Sequence, residues 1–384
     1  MTNKNKKFKI GILCYRLDTL RGGTKLALTL GKVLKDNGYE VAYSAVFEKM
    51  NELEKKFGHD YKFKVYTPKR KFLANKIVNI SCLWNHSIAN YKMYKDFKPN
   101  VVIEIGGVLN SLFLPLFLKI PSIYYCILPS SRYATVTKYK KGIPSKIYLK
   151  IIGFIEKQLI KKVNLVNMSK FVESITYEDW NKIGVIINPP IDINLFKPKK
   201  TKKDVILSVC RYDPVYKLEE LVKIFRKLKH KKYELHFVAQ LDVKDIPYYD
   251  ELKEFTKNDK NIILNKDINI KQLLSLYNRA KLFWYSSWSP YGFIIAEAQS
   301  AGIPVITFGK DSGPGEIIID KKTGYALNEG DFKDFYKYTE KILNDNKLYI
   351  KMSLEARENA LKRLGLKKFS ESFINLIQQM NKDL

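Results

Sequence analysis

The sequence predicts an α/β protein made of two parallel-sheet domains, and three observations carry that prediction. At 384 residues the chain exceeds one ordinary hydrophobic core. Short apolar runs of strand length alternate with helix-length segments along the chain, the pattern of parallel sheets covered on both faces. The stretch Asn188-Pro189-Pro190-Ile191-Asp192 interrupts that alternation near the middle. The expected domains are 1–188 and 189–365, followed by a terminal segment, 366–384.

Element by element, Phe8–Tyr15 reads as a buried strand, Thr24–Asn37 as a helix capped by Thr24 and ended before Gly38, and Tyr39–Ala45 as the next strand. Val101–Ile105 and Ser122–Ile127 read as later strands of the same sheet, and Leu165–Met168 as its last. After the paired prolines the strands are Val205–Cys210, Leu235–Val238, Ile262–Leu264, Leu282–Tyr285 and Val305–Phe308, with helices between them. The turn Pro290–Gly292 opens a helix that runs through Ala301 and is closed by Gly302-Ile303-Pro304. Leu366–Met380 is a final amphipathic helix.

Composition narrows the function classes. An apolar share of 46 % excludes general disorder. Cys14, Cys82, Cys126 and Cys210 form no Cys-x-x-Cys, and His59, His86, His230 and His236 have no metal-ligand spacing. Buried thiols in a reducing compartment are expected. There is no Asp-x-Asp, so no metal site is expected. The charged N-terminus lacks a signal-peptide core, and the apolar region 101–129 is interrupted by charges and prolines that a bilayer would reject. A cytoplasmic placement follows as an expectation. The net charge of +29 is uneven: 33 Lys and Arg against 13 Asp and Glu in residues 1–188, a surplus of +20, and 35 against 26 in residues 189–384, a surplus of +9. The first half is the one expected to face a polyanion, bilayer or nucleic acid.

Chemistry concentrates just after the strands of the second half, where open α/β sheets bind ligands. Arg211 directly follows the run 205–210, and Lys217 lies six residues on. A guanidinium fork and a point-charge ammonium at that spacing suit a diphosphate, although two solvated cations also account for them. Ser289-Pro290-Tyr291-Gly292 leads into a helix whose first amides favour an anion, with Glu297 one turn in and able to accept two hydroxyl hydrogens. A phosphate beside a ribose diol fits both; so does a plain crossover with Glu297 on a solvated face. The loop Asp311-Ser312-Gly313-Pro314-Gly315-Glu316 permits close backbone approach to a ligand, or is an ordinary turn. Gly22-Gly23 lies between the first strand and first helix and is not a Gly-x-Gly-x-x-Gly.

Taken together, small residue, Pro, aromatic, Gly, apolar run, Glu-Ala and Gly-x-Pro-Val over 289–305 resembles the retaining glycosyltransferases of family 4, the glycosyl transferases group 1. Arg211-Tyr212-Asp213-x-x-x-Lys217, the 311–316 loop, Asn167-Met168-Ser169 and Asn188-Pro189-Pro190-Ile191-Asp192 match further landmarks. The resemblance implies the GT-B fold: two Rossmann-like domains facing an interdomain cleft, acceptor in the first, donor in the second, and a C-terminal helix crossing back to the first. It assigns the donor, a GDP- or UDP-sugar with no prosthetic group, to Gly22, Gly23, Arg211, Lys217, Ser289, Tyr291, Gly292, Phe293, Glu297, Gly313 and Gly315, with Arg211, Lys217 and Glu297 as the catalytic set. Retaining transfer in this family needs no protein nucleophile, so the protein stabilises the departing diphosphate, at about 3 to 4 kcal/mol per well-placed donor.

Two positions depart from the family. Ser289 stands where the first Glu of the signature pair normally lies, and Ile127 stands where many members carry a sugar-contacting His. Both alter sugar recognition or weaken catalysis. A catalytically weakened relative that binds nucleotide sugar or an anionic surface is therefore the alternative function.

Lys146, Lys150, Lys157 and Lys161 fall within about 60° on a helical projection, with Ile147, Ile151, Ile155 and Leu159 on a separate face. Lys138, Lys140 and Lys141 extend this positive character upstream, and Lys69-Arg70-Lys71 elsewhere. An ordinary solvated lysine face explains the helix as well. The functional expectation is a peripheral contact with an anionic membrane and a glycan or lipid-linked acceptor. No recognition-helix, RRM or zinc signature supports a specific nucleic-acid role.

Overall fold

The computed structural model describes residues 8–18, 22–57, 62–71, 82–105, 109–129, 132, 143–199, 201, 203–229 and 232–382. The chain forms two compact units, Met1–Ile187 with Ser370–Leu384, and Asn188–Phe369.

The strands of the first unit are β1 (Lys9–Leu13), β2 (Arg16–Leu17), β3 (Glu40–Ser44), β4 (Phe47–Glu48), β5 (Lys64–Tyr66), β6 (Val101–Glu104), β7 (Ser122–Cys126), β8 (Asn164–Asn167) and β9 (Val185–Ile186). Seven of them form a parallel sheet in the order β5-β3-β1-β6-β7-β8-β9, while β2 and β4 pair separately. Ile10 sits between Val41 and Val101, and Ile12 between Tyr43 and Ile103. Ile10, Ile12, Val101, Val102 and Ile103 have no exposed surface, so these strands are apolar on both faces, as helix-covered parallel strands must be.

The second unit holds β10 (Val205–Val209), β11 (Glu234–Ala239), β12 (Ile262–Lys266), β13 (Ala280–Tyr285), β14 (Val305–Phe308) and β15 (Gly324–Leu327). They make a second all-parallel sheet ordered β12-β11-β10-β13-β14-β15. Its core gathers Ile206, Phe237, Leu282, Trp284, Ile306 and Phe308 against Leu221, Val222 and Phe335 from the covering helices.

In both sheets the chain first works outward in one direction and then returns to the opposite side of its first strand. The reversal falls between β1 and β6 in one and between β10 and β13 in the other. Such a reversal leaves a crevice at the carboxyl ends of the two strands, because the crossovers on either side diverge.

The structure adds to and corrects the element reading. Leu165–Met168 is not the last strand of its sheet, because β9 pairs beyond it. The edge strands β5 and β15 were also missed. The first helix runs from Gly22 to Asp36, so Thr24 lies inside its first turn and does not cap it; its hydroxyl donates to the Arg16 carbonyl at 3.1 Å. The basic helix Ile143–Leu159 also differs from its projection: Glu156 is fully buried, whereas Ile151 and Phe154 are 54 % and 66 % exposed. The terminal helix Leu366–Lys382 begins at the end of the second unit, and Phe373 stacks on Tyr125 of the first at 5.8 Å between ring centroids. Among the described residues no helix is long and apolar enough to cross a membrane.

Candidate active site

The crevice of the second sheet collects the donor-site residues read from the second half of the sequence. Arg211 and Lys217 follow β10, Ser289 to Glu297 follow β13, and Gly313 and Gly315 follow β14, three strands that are neighbours in the sheet.

After β10 the chain turns through Asp213, whose carboxylate accepts from the amide of Val215 at 3.0 Å and starts the short helical turn Pro214–Tyr216. Lys217 ends that turn in the left-handed region, at φ 46°, a conformation that costs energy in a residue with a Cβ. Its Nζ lies 3.0 Å from Glu329 Oε1, an exposed pair. The guanidinium of Arg211, about half exposed, lies 3.5 Å from Asp213 Oδ2 and hydrogen-bonds the Tyr216 phenol. Tyr216 in turn bonds Tyr285, and Tyr285 bonds Ser289. Burial pushes both phenols up, Tyr285 far up, so they remain neutral at physiological pH and act as donors or acceptors within this chain. Ser286 Oγ donates to the Tyr216 carbonyl, tying the end of β13 to the Lys217 turn.

Ser289 donates from Oγ to the Tyr291 carbonyl at 3.1 Å, and its own carbonyl accepts from the Gly313 amide at 3.0 Å. Gly292 adopts φ 153°, forbidden to most side chains, and precedes the helix Phe293–Ser300 without a side-chain cap. Four residues into that helix stands Glu297, whose Oε2 accepts from the Tyr277 hydroxyl at 3.2 Å. Burial, and then the Glu297 charge, push the Tyr277 phenol far up, so it donates to the carboxylate without competing for its charge.

The glycine-rich loop is required by the packing of its own backbone. A Cβ on Gly313 would lie 2.4 Å from the Tyr291 backbone, and one on Gly315 would lie 2.1 Å from the Lys310 carbonyl oxygen. These glycines are required by backbone packing on backbone, so their presence is not by itself a sign of a ligand. The Tyr291 side chain is 2 % exposed and packs edge-on to Phe293 at 5.3 Å between ring centroids, which leaves its backbone as the part of it within the turn.

In the first unit Gly22 and Gly23 open the helix after β1, at the crevice of that sheet. A Cβ on Gly23 would meet Ile127 Cδ1 at 3.8 Å, an ordinary contact. The departure at Ile127 thus lies beside the glycine pair. Lys146, Lys150 and Lys157 lie on the helix Ile143–Leu159, with Lys150 and Lys157 exposed; Lys138, Lys140 and Lys141 lie outside the described residues. Among the described residues no group of three or more His, Cys, Asp or Glu side chains is placed to hold a metal ion.

Sequence reasoning missed Tyr216, Tyr277, Tyr285 and Glu329. Tyr216 and Tyr285 border residues already singled out, whereas Glu329 is 112 positions from Lys217 and no local signal links them.

Comparison with known proteins bears on this arrangement. Residues 191–361 match the family profile described as glycosyl transferases group 1. This part of the chain is similar to that family. The matched region thus spans the crevice just described. An α-1,3/1,6-mannosyltransferase ALG2 of Dictyostelium discoideum is 26 % identical over 271 residues, covering 65 % of this chain and 59 % of the relative. A poly(ribitol-phosphate) α-N-acetylglucosaminyltransferase of Staphylococcus aureus is 22 % identical over 229 residues, covering 58 % and 46 %. The chain therefore spans under two thirds of these curated relatives. Among solved structures, sucrose-phosphate synthase of Thermosynechococcus elongatus superposes with a TM-score of 0.80 at 15 % identity, covering 98 % of this chain and all of that one. Anabaena HepE in complex with UDP and glucose superposes at 0.75 with 12 % identity, covering 97 % and 99 %. The chain therefore has the GT-B fold, two parallel sheets of seven and six strands.

Proposed function

We propose that this protein is a retaining hexosyltransferase that moves a mannose- or glucose-type sugar from a nucleoside diphosphate sugar to a glycan or lipid-linked acceptor. The observation that carries the reading is the convergence at the β10/β13 reversal: two cations, an uncapped helix start and a tyrosine-held carboxylate stand on adjacent strand ends. Arg211 forks onto diphosphate oxygens and Lys217 exchanges Glu329 for a phosphate, since an exposed ion pair is worth only about 0 to 1 kcal/mol. The first amides of the helix Phe293–Ser300 face the same charge. Glu297, fixed by Tyr277, accepts the ribose hydroxyls. As the glycosidic bond breaks, negative charge grows on the diphosphate, and these groups are strongest there. Ser289 offers the sugar a neutral hydroxyl in place of a carboxylate.

The acceptor side is assigned to the first unit and to a membrane surface. Ile151 and Phe154 are exposed beside Lys150 and Lys157, the pairing of apolar and cationic groups that seats a protein on an anionic leaflet. Transfer is tested with radiolabelled GDP-mannose and UDP-glucose, scoring label in lipid-extractable and water-soluble acceptors, with the product anomer read by NMR. Label released only as free sugar, with every acceptor tried, would favour the weakened relative. Sedimentation with phosphatidylglycerol and with phosphatidylcholine vesicles at low salt tests the membrane; equal binding to both refutes it.

A further inference from the structure

The first unit contains a second cationic site, separate from the glycine pair. Beyond the edge strand β5, Lys69, Arg70 and Lys71 line a cavity of about 690 Å³, closed on its other side by Lys92, Trp84 and Ile88 from the helical segment Cys82–Phe97. Its Lys69–Lys71 wall follows the carboxyl end of β5. Four cations share this space with no carboxylate in its wall. Among the described residues none of the four is in an ion pair. Lys92 Nζ is held at 2.8 Å by the Thr67 carbonyl, and Lys71 Nζ sits 4.7 Å over the Phe47 ring, contacts that fix direction without neutralising charge. Trp84 is 62 % exposed, whereas Trp180 and Trp284 are buried. An exposed indole face beside four cations offers a stacking surface next to an anion site.

We propose that this pocket binds a phosphate ester, with the phosphate held by Lys69, Arg70, Lys71 and Lys92 and a sugar or other apolar-faced body stacked on Trp84. Arg70 supplies planar, bidentate recognition of phosphate oxygens and the lysines supply point charge. Its ligand is defined by this chemistry whether or not it is the acceptor of the transfer reaction. A phosphate ester reaches the pocket either as a lipid headgroup or as a soluble sugar phosphate.

The test titrates the whole chain, without nucleotide sugar, with glucose 1-phosphate, with glucose, and with phosphatidylglycerol vesicles, following tryptophan fluorescence and calorimetric heat. Glucose 1-phosphate or the vesicles are expected to bind and glucose is not, with affinity falling as salt rises. Binding of the first alone identifies a soluble ligand; vesicle binding identifies a headgroup in this pocket only where it weakens in the Arg70/Lys71 variant, since Lys150 and Lys157 offer the leaflet a separate contact. The exposed double variant Arg70→Gln/Lys71→Gln is expected to weaken binding by about tenfold or more. Trp84→Phe is expected to lose most of the fluorescence change while leaving the heat of binding. Lys253→Gln, at an exposed lysine of the second unit, should leave glucose 1-phosphate binding unchanged. Equal binding by the wild type and the Arg70/Lys71 variant overturns the proposal, as does no binding by either. Tight binding of a ten-residue oligodeoxythymidine with none of the two phosphate probes also overturns it, in favour of a nucleic-acid platform. Donor stabilisation that depends on Lys217 is read in the same samples, so failure at this pocket is distinguished from failure of the transferase reading.

Discussion

Lys217 concentrates the argument at the scale of a residue. It is a lysine in a left-handed conformation, directly beyond the turn set by Asp213, with its ammonium paired to Glu329 across 3.0 Å. If that carboxylate holds the place of a phosphate, Glu329→Gln should tighten donor binding a few-fold, measured by calorimetry, because the competing ion pair is gone. Weaker binding would mean that Glu329 contacts the donor. Ser289→Glu restores the charge that the family pattern carries there, and turnover of the preferred donor is expected to rise; a fall would show that the Tyr285–Ser289 bond matters more than the charge. His86 gives a pH prediction. Full burial lowers its pKa to about 4 from an ordinary 6.5, outweighing the bond of Nε2 to the Ser44 carbonyl. The folded state resists protonation that the unfolded chain accepts. Its contribution is therefore fully present above pH 6.5 and is lost as pH falls toward 4, by about 3 kcal/mol at 1.4 kcal/mol per unit. Denaturation of wild type and His86→Gln across that window should show the wild type losing its advantage; parallel curves would refute it.

Whole elements show what a sequence conceals. The apolar strands were legible because their residues are buried on both faces, as at the neighbours Val101 and Val102 and at Val205 and Ile206. The strands β5, β9 and β15 were not, since three, two and four residues at or near sheet edges leave no periodic pattern. The helix Ile143–Leu159 was legible as a helix but not in orientation, because tertiary packing buries Glu156 where the projection offered isoleucines. The glycines after β14 mark an interlock of two loops, a fact that depends on the Tyr291 backbone twenty-odd residues away. Gly313→Ala should accordingly destabilise the second unit by about 1 to 3 kcal/mol, the range for overpacking, and reduce donor binding through the displaced Ser289–Gly292 turn. Unchanged stability in a urea titration would remove the interlock from the account.

For the whole molecule, two separate cores and two sheet reversals imply two partly independent halves. Scanning calorimetry should resolve two transitions, with nucleotide sugar raising the one that belongs to Asn188–Phe369 by mass action, about 2.7 kcal/mol at a hundredfold excess over Kd. A single transition that shifts as a whole would show that the units unfold together. The placement of Arg211, Lys217, Ser289, Glu297 and Gly313 on adjacent strand ends was foreseeable from motif order, because each follows a strand. The phenol chain from Arg211 to Ser289 and the Lys217–Glu329 pair arise only from folding. The account rests on Arg211 and Lys217 as the diphosphate clamp. Calorimetric titration of the wild type and Lys217→Ala with UDP-, GDP- and ADP-sugars tests it most directly. One donor should bind the wild type and lose about a hundredfold or more in the variant, near 3 kcal/mol; equal affinity in both proteins would contradict the clamp.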